Sequence, residues 1–283
     1  MSNLPFIKMH GCGNDFLIFD AFKNPAPHLN QEQVAALCDR HFGIGADGLV
    51  VLGPGTETHA EWSFFNSDGS VAAMCGNAAR CAFRLLFDEH FKSADLLTLV
   101  TGAGVVNGRK RGKDLIEVTM LSTPVTQVDY CEKVMEFDGE VFRLRCLNTG
   151  VPHAVIEVTD LQSFPVSKVG RFFVRHPVFL PEGTNVTFYQ KGTDREILST
   201  TFERGVENET YACGTGVVAA AILFVQDYLQ HFPVEVQVPG GKLIVDLTDA
   251  KRLLLTGPAE YVADINLTKI PALDAGERVL HEN

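Results

Sequence analysis

The sequence predicts an α/β (α+β) fold that is duplicated in two pseudo-symmetric halves. Two segments, 73–77 and 211–216, place a Cys-Gly pair among small residues, and each runs into an Ala-rich apolar stretch. Cys213 follows Cys75 by 138 residues, close to half of the 283-residue chain. Strand-like runs surround both stretches. Each half is therefore expected to contain one sheet, one central helix and one cysteine.

In the first half, segment 31–40 follows Asn30 and has apolar residues at helical spacing, which predicts a short capped helix. From Cys75 to about residue 87 the chain is apolar all round except at Arg80 and Arg84, which predicts a buried helix. Short apolar runs bounded by turn residues predict strands at 48–52, 62–66, 97–100, 104–107 and 115–120.

The second half repeats this plan, with a helix predicted at 166–175 and a central helix beginning near Cys213. Segment 217–225 is the most uniformly apolar of the chain, which places that helix inside a curled sheet. Strands are predicted at 140–147, 154–158, 186–190, 197–203, 234–238, 242–247 and 252–256.

The predicted boundary between the halves lies at 121–127, where Ser-Thr-Pro breaks the pattern. The N-terminal domain is expected to span 1–122 and to be completed by about 262–283. The C-terminal domain is expected to span 123–261. Segment 271–283, rich in charge and turn formers, is expected to be partly disordered.

Composition excludes several classes of function. The net charge of −11 argues against a large nucleic-acid surface, which normally appears as a basic footprint. No stretch approaches the roughly 20 apolar residues that span a bilayer, and the N-terminus has no signal-peptide pattern, so a cytoplasmic location is expected. The seven cysteines form no C-x-x-C pair, so neither a zinc site nor a disulfide framework is expected.

The two helix-start cysteines predict proton-transfer chemistry. A thiol at the positive end of a helix dipole has its pKa lowered from about 8.5 to roughly 3.5–7.5. Two such thiols related by a pseudo-twofold axis approach a small substrate from opposite sides, which suits abstraction and return of a proton at one carbon. The alternative is a small buried core residue, the commoner fate of free cysteine. That alternative is kept for Cys12, Cys38, Cys81, Cys131 and Cys146.

Segment 9–16, Met-His-Gly-Cys-Gly-Asn-Asp-Phe, resembles the opening motif of bacterial diaminopimelate epimerases. Further segments resemble motifs of that family in the family's order: 40–48, 65–70 leading to 74–81, 183–186, 203–205 leading to 210–216, and 239–241. The likeness extends from Lys8 to about Gly257. It implies two α/β domains, each a mixed sheet wrapped round a central helix, with the active site in the cleft between them.

The resemblance also implies an activity, namely inversion of one α-carbon of LL-diaminopimelate to give the meso isomer. The product serves lysine and peptidoglycan synthesis, and the reaction uses no pyridoxal phosphate, metal or redox cofactor. The family likeness suggests a homodimer. The family's two cysteines, matched here by Cys75 and Cys213, exchange the roles of base and acid with substrate stereochemistry.

Other site residues follow from the same motifs. Asn14, Asn66, Asn185 and Arg204 match positions that contact substrate, although the first two are also ordinary turn residues. Glu203 matches a position that binds the substrate ammonium and biases the thiol pKa values, and His153 matches a histidine that tunes them. As alternatives, Glu203 is a surface acid and His153 a structural group. The free first-turn amides of both helices are expected to hold the α-carboxylate, at Gly76, Asn77, Gly214 and Thr215.

Two positions depart from the family pattern. Val151 stands where many members have Asn before Pro-His, and Gly48 stands where some have Gln. A site that lacks hydrogen-bonding groups discriminates weakly against analogues, so tolerance of a shorter amino acid such as glutamate is a hypothesis. Three rival functions stay open: a proline racemase-like enzyme, an isomerase without the thiol pair, and a redox-sensing protein that joins Cys75 to Cys213.

Overall fold

A computed structural model describes residues 4–120, 124–128 and 130–269. In the first half the elements are β1 (Leu4–Gly11), β2 (Asn14–Asp20), α1 (Gln31–Cys38), β3 (Gly48–Pro54), β4 (Ala60–Asn66), α2 (Gly76–Leu85), β5 (Leu97–Thr101), β6 (Gly104–Lys110) and β7 (Leu115–Thr119). A π-helical turn, Leu86–His90, extends α2.

The second half contains a similar series. Its elements are β8 (Tyr130–Phe137), β9 (Glu140–Asn148), β10 (Pro152–Glu157), α3 (Val166–Val174), β11 (Asn185–Lys191), β12 (Glu196–Glu203), β13 (Asn208–Thr210), α4 (Gly214–Asp227), β14 (Val234–Val238), β15 (Gly241–Leu247), β16 (Leu253–Pro258) and β17 (Glu260–Leu267).

The strand pairing repeats the same topology twice. Along β1 to β7, successive strands pair antiparallel, parallel, antiparallel, parallel, antiparallel and antiparallel. The series β9, β10, β11, β12, β14, β15, β16 gives the same six relations. Pairing of β7 with β16 joins the two halves. The duplicated mixed α/β fold predicted from the sequence is therefore confirmed.

The crossover helices occupy matching places in the two copies. Helices α1 and α3 precede the third strand of each copy, and α2 and α4 precede the fifth. Helix α2 contacts β1, β2, β6, β7 and β16, while α4 contacts β10 to β12 and β14 to β16. Each central helix thus touches strands from both ends of its half, because the sheet curls round it. Their buried residues form one joint hydrophobic core.

Five strands fall where the sequence predicts none: β1, β2, β8, β13 and β17. Strand β17 pairs with β1 of the first half, as β8 pairs with β9 of the second. Residues 121–123 at the predicted domain boundary and the predicted disordered tail 271–283 lie outside the described residues. The domain limits therefore stay predictions. Within the described part of the chain, no helix is long and apolar enough to cross a membrane.

Candidate active site

Cys75 and Cys213 are the N-cap residues of the two central helices, α2 and α4. Both have extended backbone, and neither side chain caps its own helix. The helix starts meet: a Cβ built on Gly214 would lie 4.0 Å from the Cα of Gly76. The two thiols are close enough that the charge of Cys75 raises the pKa of Cys213. The structure therefore brings the two predicted thiols together at the junction of the halves.

Glycine follows each cysteine because the helix starts pack closely on the strands that join the halves. A Cβ on Gly76 would lie 3.1 Å from the sulfur of Met120, just after β7. A Cβ on Gly214 would lie 3.1 Å from Cδ2 of Leu255, on β16. Both distances are tighter than ordinary van der Waals contact, so small residues allow the two N-termini to approach this joint.

The expected lowering of the thiol pKa values is wrong for this substrate-free structure. Burial raises the pKa of Cys75, although the amides of Ala78 and Asn77 hydrogen bond to its sulfur and oppose the shift. Burial also raises the pKa of Cys213, and the Glu203 carboxylate adds to the increase. Removal of the thiolate from water thus outweighs stabilisation by the helix N-terminus. Both thiols hold their protons at neutral pH before substrate binds.

Asn77 connects the two halves at the site. Its side-chain amide donates hydrogen bonds of 2.9 Å to Oδ1 of Asn14 and to the carbonyl of Ala212, the residue before the second cysteine. Asn14 Oδ1 also lies 3.7 Å from the Cys75 sulfur and accepts a hydrogen bond from it. The predicted site residues Asn14 and Asn77 therefore lie beside Cys75. Asn77 contributes its side chain as well as its backbone amide.

Asn14 is held from behind by a charged network that the sequence analysis does not predict. Its Nδ2 donates to Asp47 at 2.7 Å, and Arg40 bridges Asp47 and Asp15 at 2.7 Å each. Burial raises the pKa of Asp15, but hydrogen bonds and charges from Arg40 and Lys8 outweigh burial and hold the Asp15 pKa below its usual range. Arg40 and Asp47 lie in the Gly-rich motif 40–48, which is the signal that was available.

On the other side, a chain of hydrogen bonds runs from Cys213 into the sheet. Thr215 Oγ1 lies 3.4 Å from the Cys213 sulfur and 2.9 Å from His153 Nε2. His153 Nδ1 lies 2.9 Å from Thr187 Oγ1, which contacts Thr201 at 3.0 Å. His153 thus reaches the thiol only through Thr215, and the supporting threonines, Thr187 and Thr201, have no signal in the sequence.

Glu203 ends β12 beside Cys213. Burial raises the pKa of its carboxyl, while hydrogen bonds from Thr210, at 2.5 Å, and from the Cys213 thiol oppose the increase. Asn185 is buried, lies 3.5 Å from His153 through Nδ2 and accepts the Arg204 amide at 2.9 Å. The Arg204 side chain is exposed, and its positive charge contributes to the low pKa of His153. These predicted residues all surround the Cys213 side.

The strand register relates site residues of the two halves at a constant offset. In parallel pairs of the same rank, Phe16 faces Gly48 and His153 faces Asn185, so 153 follows 16, and 185 follows 48, by 137 residues. Gly48 faces Asn66 in the next pair. By the same offset, Val151 of the second half corresponds to Asn14 of the first half, and Glu203 corresponds to Asn66.

The two departures from the family pattern lie at positions that correspond to asparagines in the other half. Each asparagine that flanks the site in one half, Asn14 or Asn185, has an apolar residue in the other, Val151 or Gly48. A Cβ on Gly48 would lie 2.6 Å from the Phe65 carbonyl oxygen, which leaves no room for a side chain without backbone movement. Among these two corresponding pairs, the polar member lies in the first half for Asn14 and in the second half for Asn185.

Asn66 lies apart from these contacts. It is exposed, its Nδ2 donates to Ser70 at 2.9 Å, and its backbone closes a turn with Ser70. Its hydrogen bonds go to Ser70 and not to either thiol, so its substrate-binding role stays a prediction. Among the described residues, no group of three His, Cys, Asp or Glu side chains is arranged to hold a metal ion.

His153 makes a testable prediction about acid stability. Burial, followed by the charge of Arg204, lowers its pKa from 6.5 to about 3. Between about pH 6.5 and 3 the His153 imidazole is protonated in the unfolded chain but neutral in the folded protein. The free energy of unfolding therefore falls as pH falls through this range, by up to about 1.4 kcal/mol per pH unit. His153→Gln should lose about 2 kcal/mol less between pH 6.5 and 5, measured by urea unfolding at both pH values. Equal losses for both proteins would contradict this assignment.

Comparison with known proteins identifies a family. A family model described as diaminopimelate epimerase matches residues 6–126 and 145–262. The curated diaminopimelate epimerase of Pelotomaculum thermopropionicum is 37% identical over 274 residues, covering 91% of this chain and 96% of its own. That of Aquifex aeolicus is 37% identical, covering 94% and 98%.

Solved structures share the fold at low sequence identity. A hydroxyproline epimerase from Agrobacterium vitis, with bound trans-4-hydroxy-L-proline, has a TM-score of 0.67 at 17% identity and covers 94% of this chain and 91% of its own. A phenazine biosynthesis protein of the PhzF family from Enterococcus faecalis has a TM-score of 0.66 at 14% identity, covering 94% and 99%. Both similarities concern the fold alone.

Proposed function

This chain belongs to the diaminopimelate epimerase family, and we propose that it converts LL-2,6-diaminopimelate to the meso isomer with Cys75 and Cys213 as proton carriers. It is thereby an isomerase that supplies lysine and peptidoglycan synthesis. The observation that supports the proposal most is the pair of cysteine-capped helix starts that face one another across the join of two copies of one fold.

Two opposed thiols account for inversion at a held carbon. One thiolate removes the α-proton from one face, and the opposite thiol delivers its proton to the other face. The amino acid then leaves with inverted configuration, and the two sulfurs have exchanged protonation states. Each positioned proton transfer contributes typically about 10²–10⁴-fold to the rate. The reverse reaction starts from the exchanged state.

The substrate itself helps to ionise a thiol. Burial raises the pKa of both thiols and so favours their protonated forms. The α-ammonium of the substrate brings a positive charge beside Glu203 and the sulfurs, and a nearby cation favours the charged form of a thiol. The first-turn amides of Gly76, Gly214 and Thr215 are donors for the α-carboxylate, whose negative charge grows as the proton leaves, whereas the Asn77 amide hydrogen bonds to the Cys75 sulfur.

Each side of the site offers a polar group to the rest of the substrate. Asn14 is fixed by Asp47, and Asn185 by the Arg204 backbone, so both present a preset polar group. Arg204 is exposed and free to close on a carboxylate with its planar fork. A homodimeric state and a cytoplasmic location are further parts of the proposal, and they rest on the family likeness.

The decisive experiment incubates reduced protein with LL-diaminopimelate in deuterated water, with a chelator and without added cofactor. We expect meso product that carries deuterium at the inverted α-carbon, detected by mass spectrometry and chiral separation. A Cys75→Ala/Cys213→Ala double variant is the control. Well-folded protein that produces no exchange would overturn the proposal. L-glutamate and L-proline in parallel reactions test tolerance of shorter substrates and the proline racemase-like alternative.

A further inference from the structure

Cys131 and Cys146 lie directly opposite one another on neighbouring strands. In the β8–β9 antiparallel pair, Cys131 is the register partner of Cys146. Side chains of register partners project from the same face of a sheet. Burial, followed by the neighbouring Cys131 thiol, raises the pKa of the more buried Cys146 to about 12. Both thiols are free.

The backbone at this position already suits a disulfide. Cα atoms of directly opposed residues in an antiparallel pair lie about 4.5 or 5.5 Å apart, depending on the hydrogen-bonding class. Disulfides accept Cα separations of about 4.4–6.8 Å. The Cα spacing therefore permits a bond between the two sulfurs, and small side-chain and backbone adjustments bring the Cβ atoms, about 4.5–5.5 Å apart in such pairs, to the roughly 3.5–4.5 Å of a disulfide.

A reagent can reach the pair. Cys131 is exposed, and Cys146 is half-buried beside it. Among the described strands, β8 pairs only with β9 and forms an edge of the sheet. Both thiols line an open cavity of about 490 Å³, whose walls also include Phe179, Glu182 and, at its inner end, the buried His153. The cavity gives a small molecule room beside the exposed sulfur.

The matching position in the other half carries no such pair. Leu147 faces His153 as Met9 faces Phe16, so Cys146 corresponds to Lys8, whose partner on β17 is Ala263. The first half forms the same strand pairing without thiols at the corresponding positions. The topology therefore does not require the Cys131–Cys146 pair.

We propose that Cys131 and Cys146 form a thiol–disulfide exchange site for low-molecular-weight disulfides, separate from the catalytic thiols. The Cys131 thiolate attacks one sulfur of the small disulfide, forming a mixed disulfide and releasing one thiolate. The Cys146 thiolate then attacks the Cys131 sulfur and displaces the second. Two protein thiols are oxidised by two electrons, the small disulfide is reduced to two thiols, and the two protein protons go to them.

The test uses the full chain with oxidised glutathione, followed by alkylation and peptide mass spectrometry. We expect wild-type protein to lose both thiols of the pair and to yield one linked peptide that dithiothreitol separates. Cys146→Ser should stop at one glutathione on Cys131, and Cys131→Ser should carry neither modification. Cys38→Ser, which changes a buried thiol elsewhere, should behave as wild type.

Two outcomes would overturn the proposal. One is a wild-type protein in which Cys131 and Cys146 remain alkylatable while folded. The other is a Cys131–glutathione adduct that Cys146 fails to displace. Because the readout is a linked peptide, it is independent of turnover, and epimerase activity of the Cys131→Ser variant should equal that of wild type.

Discussion

Replacing Cys75 with alanine is expected to lower kcat for LL-to-meso conversion by at least about 10²-fold and up to about 10⁴-fold, the usual contribution of one positioned proton transfer. Cys213→Ala should produce a loss of the same order, because the reaction needs a base on one face and an acid on the other. Turnover is measured by chiral separation of the isomers at saturating substrate, with folding checked by thermal unfolding.

The double variant sharpens this prediction. Groups that act as a unit are not additive, so Cys75→Ala/Cys213→Ala should be no slower than the worse single variant. Cys38→Ala is the matched control, because Cys38 is also a buried thiol, with a pKa that burial raises to about 12, but it packs in the α1 core and not at either central helix start. A single catalytic-site variant that keeps a tenth of wild-type turnover would contradict the two-thiol mechanism.

The sequence predicts the elements that carry a strong local signal. Each central helix begins at a cysteine flanked by small residues and continues through an apolar run, and both starts are found as predicted. Strands β8 and β17 escape prediction because they are edge strands whose residues are mostly exposed, so apolar alternation is weak. Strands β1 and β2 overlap the motif 9–16, whose glycines and polar residues suggest a loop.

Site properties that depend on tertiary environment are the ones the sequence predicts poorly. The helix dipole at Cys75 is visible in the sequence, but the burial that outweighs it is a property of the assembled halves. The correspondence of Val151 with Asn14 emerges only from hydrogen-bond register. Likewise, Thr187 becomes recognisable as a partner of His153 only when β10 and β11 are paired.

Arg80 shows how an unusual residue in the pattern becomes interpretable in the structure. It is fully buried and donates to the carbonyls of Gly76 and Pro258 and to Oδ1 of Asn77. Among residues 4–120, 124–128 and 130–269, no carboxylate forms an ion pair with it. A buried cation without a counter-charge is costly, and it favours the ionised form of any thiol nearby.

The effect of Arg80 on the two thiols is unequal. Its charge lowers the pKa of Cys75, opposing burial, whereas Val218 occupies the same place, five residues after the cysteine, beside Cys213. The Glu203 carboxylate raises the pKa of both thiols, and at Cys75 its effect exceeds the lowering by Arg80. Arg80 therefore offsets part of the increase in the Cys75 pKa that burial and Glu203 produce.

Arg80→Met should therefore move the ascending limb of the pH profile of kcat/KM to higher pH. Loss of the cation raises the Cys75 pKa, and a change of one unit lowers kcat/KM about tenfold at pH values below that limb. Arg80→Lys keeps the charge and should restore most of the wild-type pH profile even where it loses hydrogen bonds to Gly76 or Pro258. Urea unfolding of both variants separates stability from titration. If Arg80→Met is less stable but retains the wild-type pH profile, Arg80 acts only as a structural brace for the start of α2.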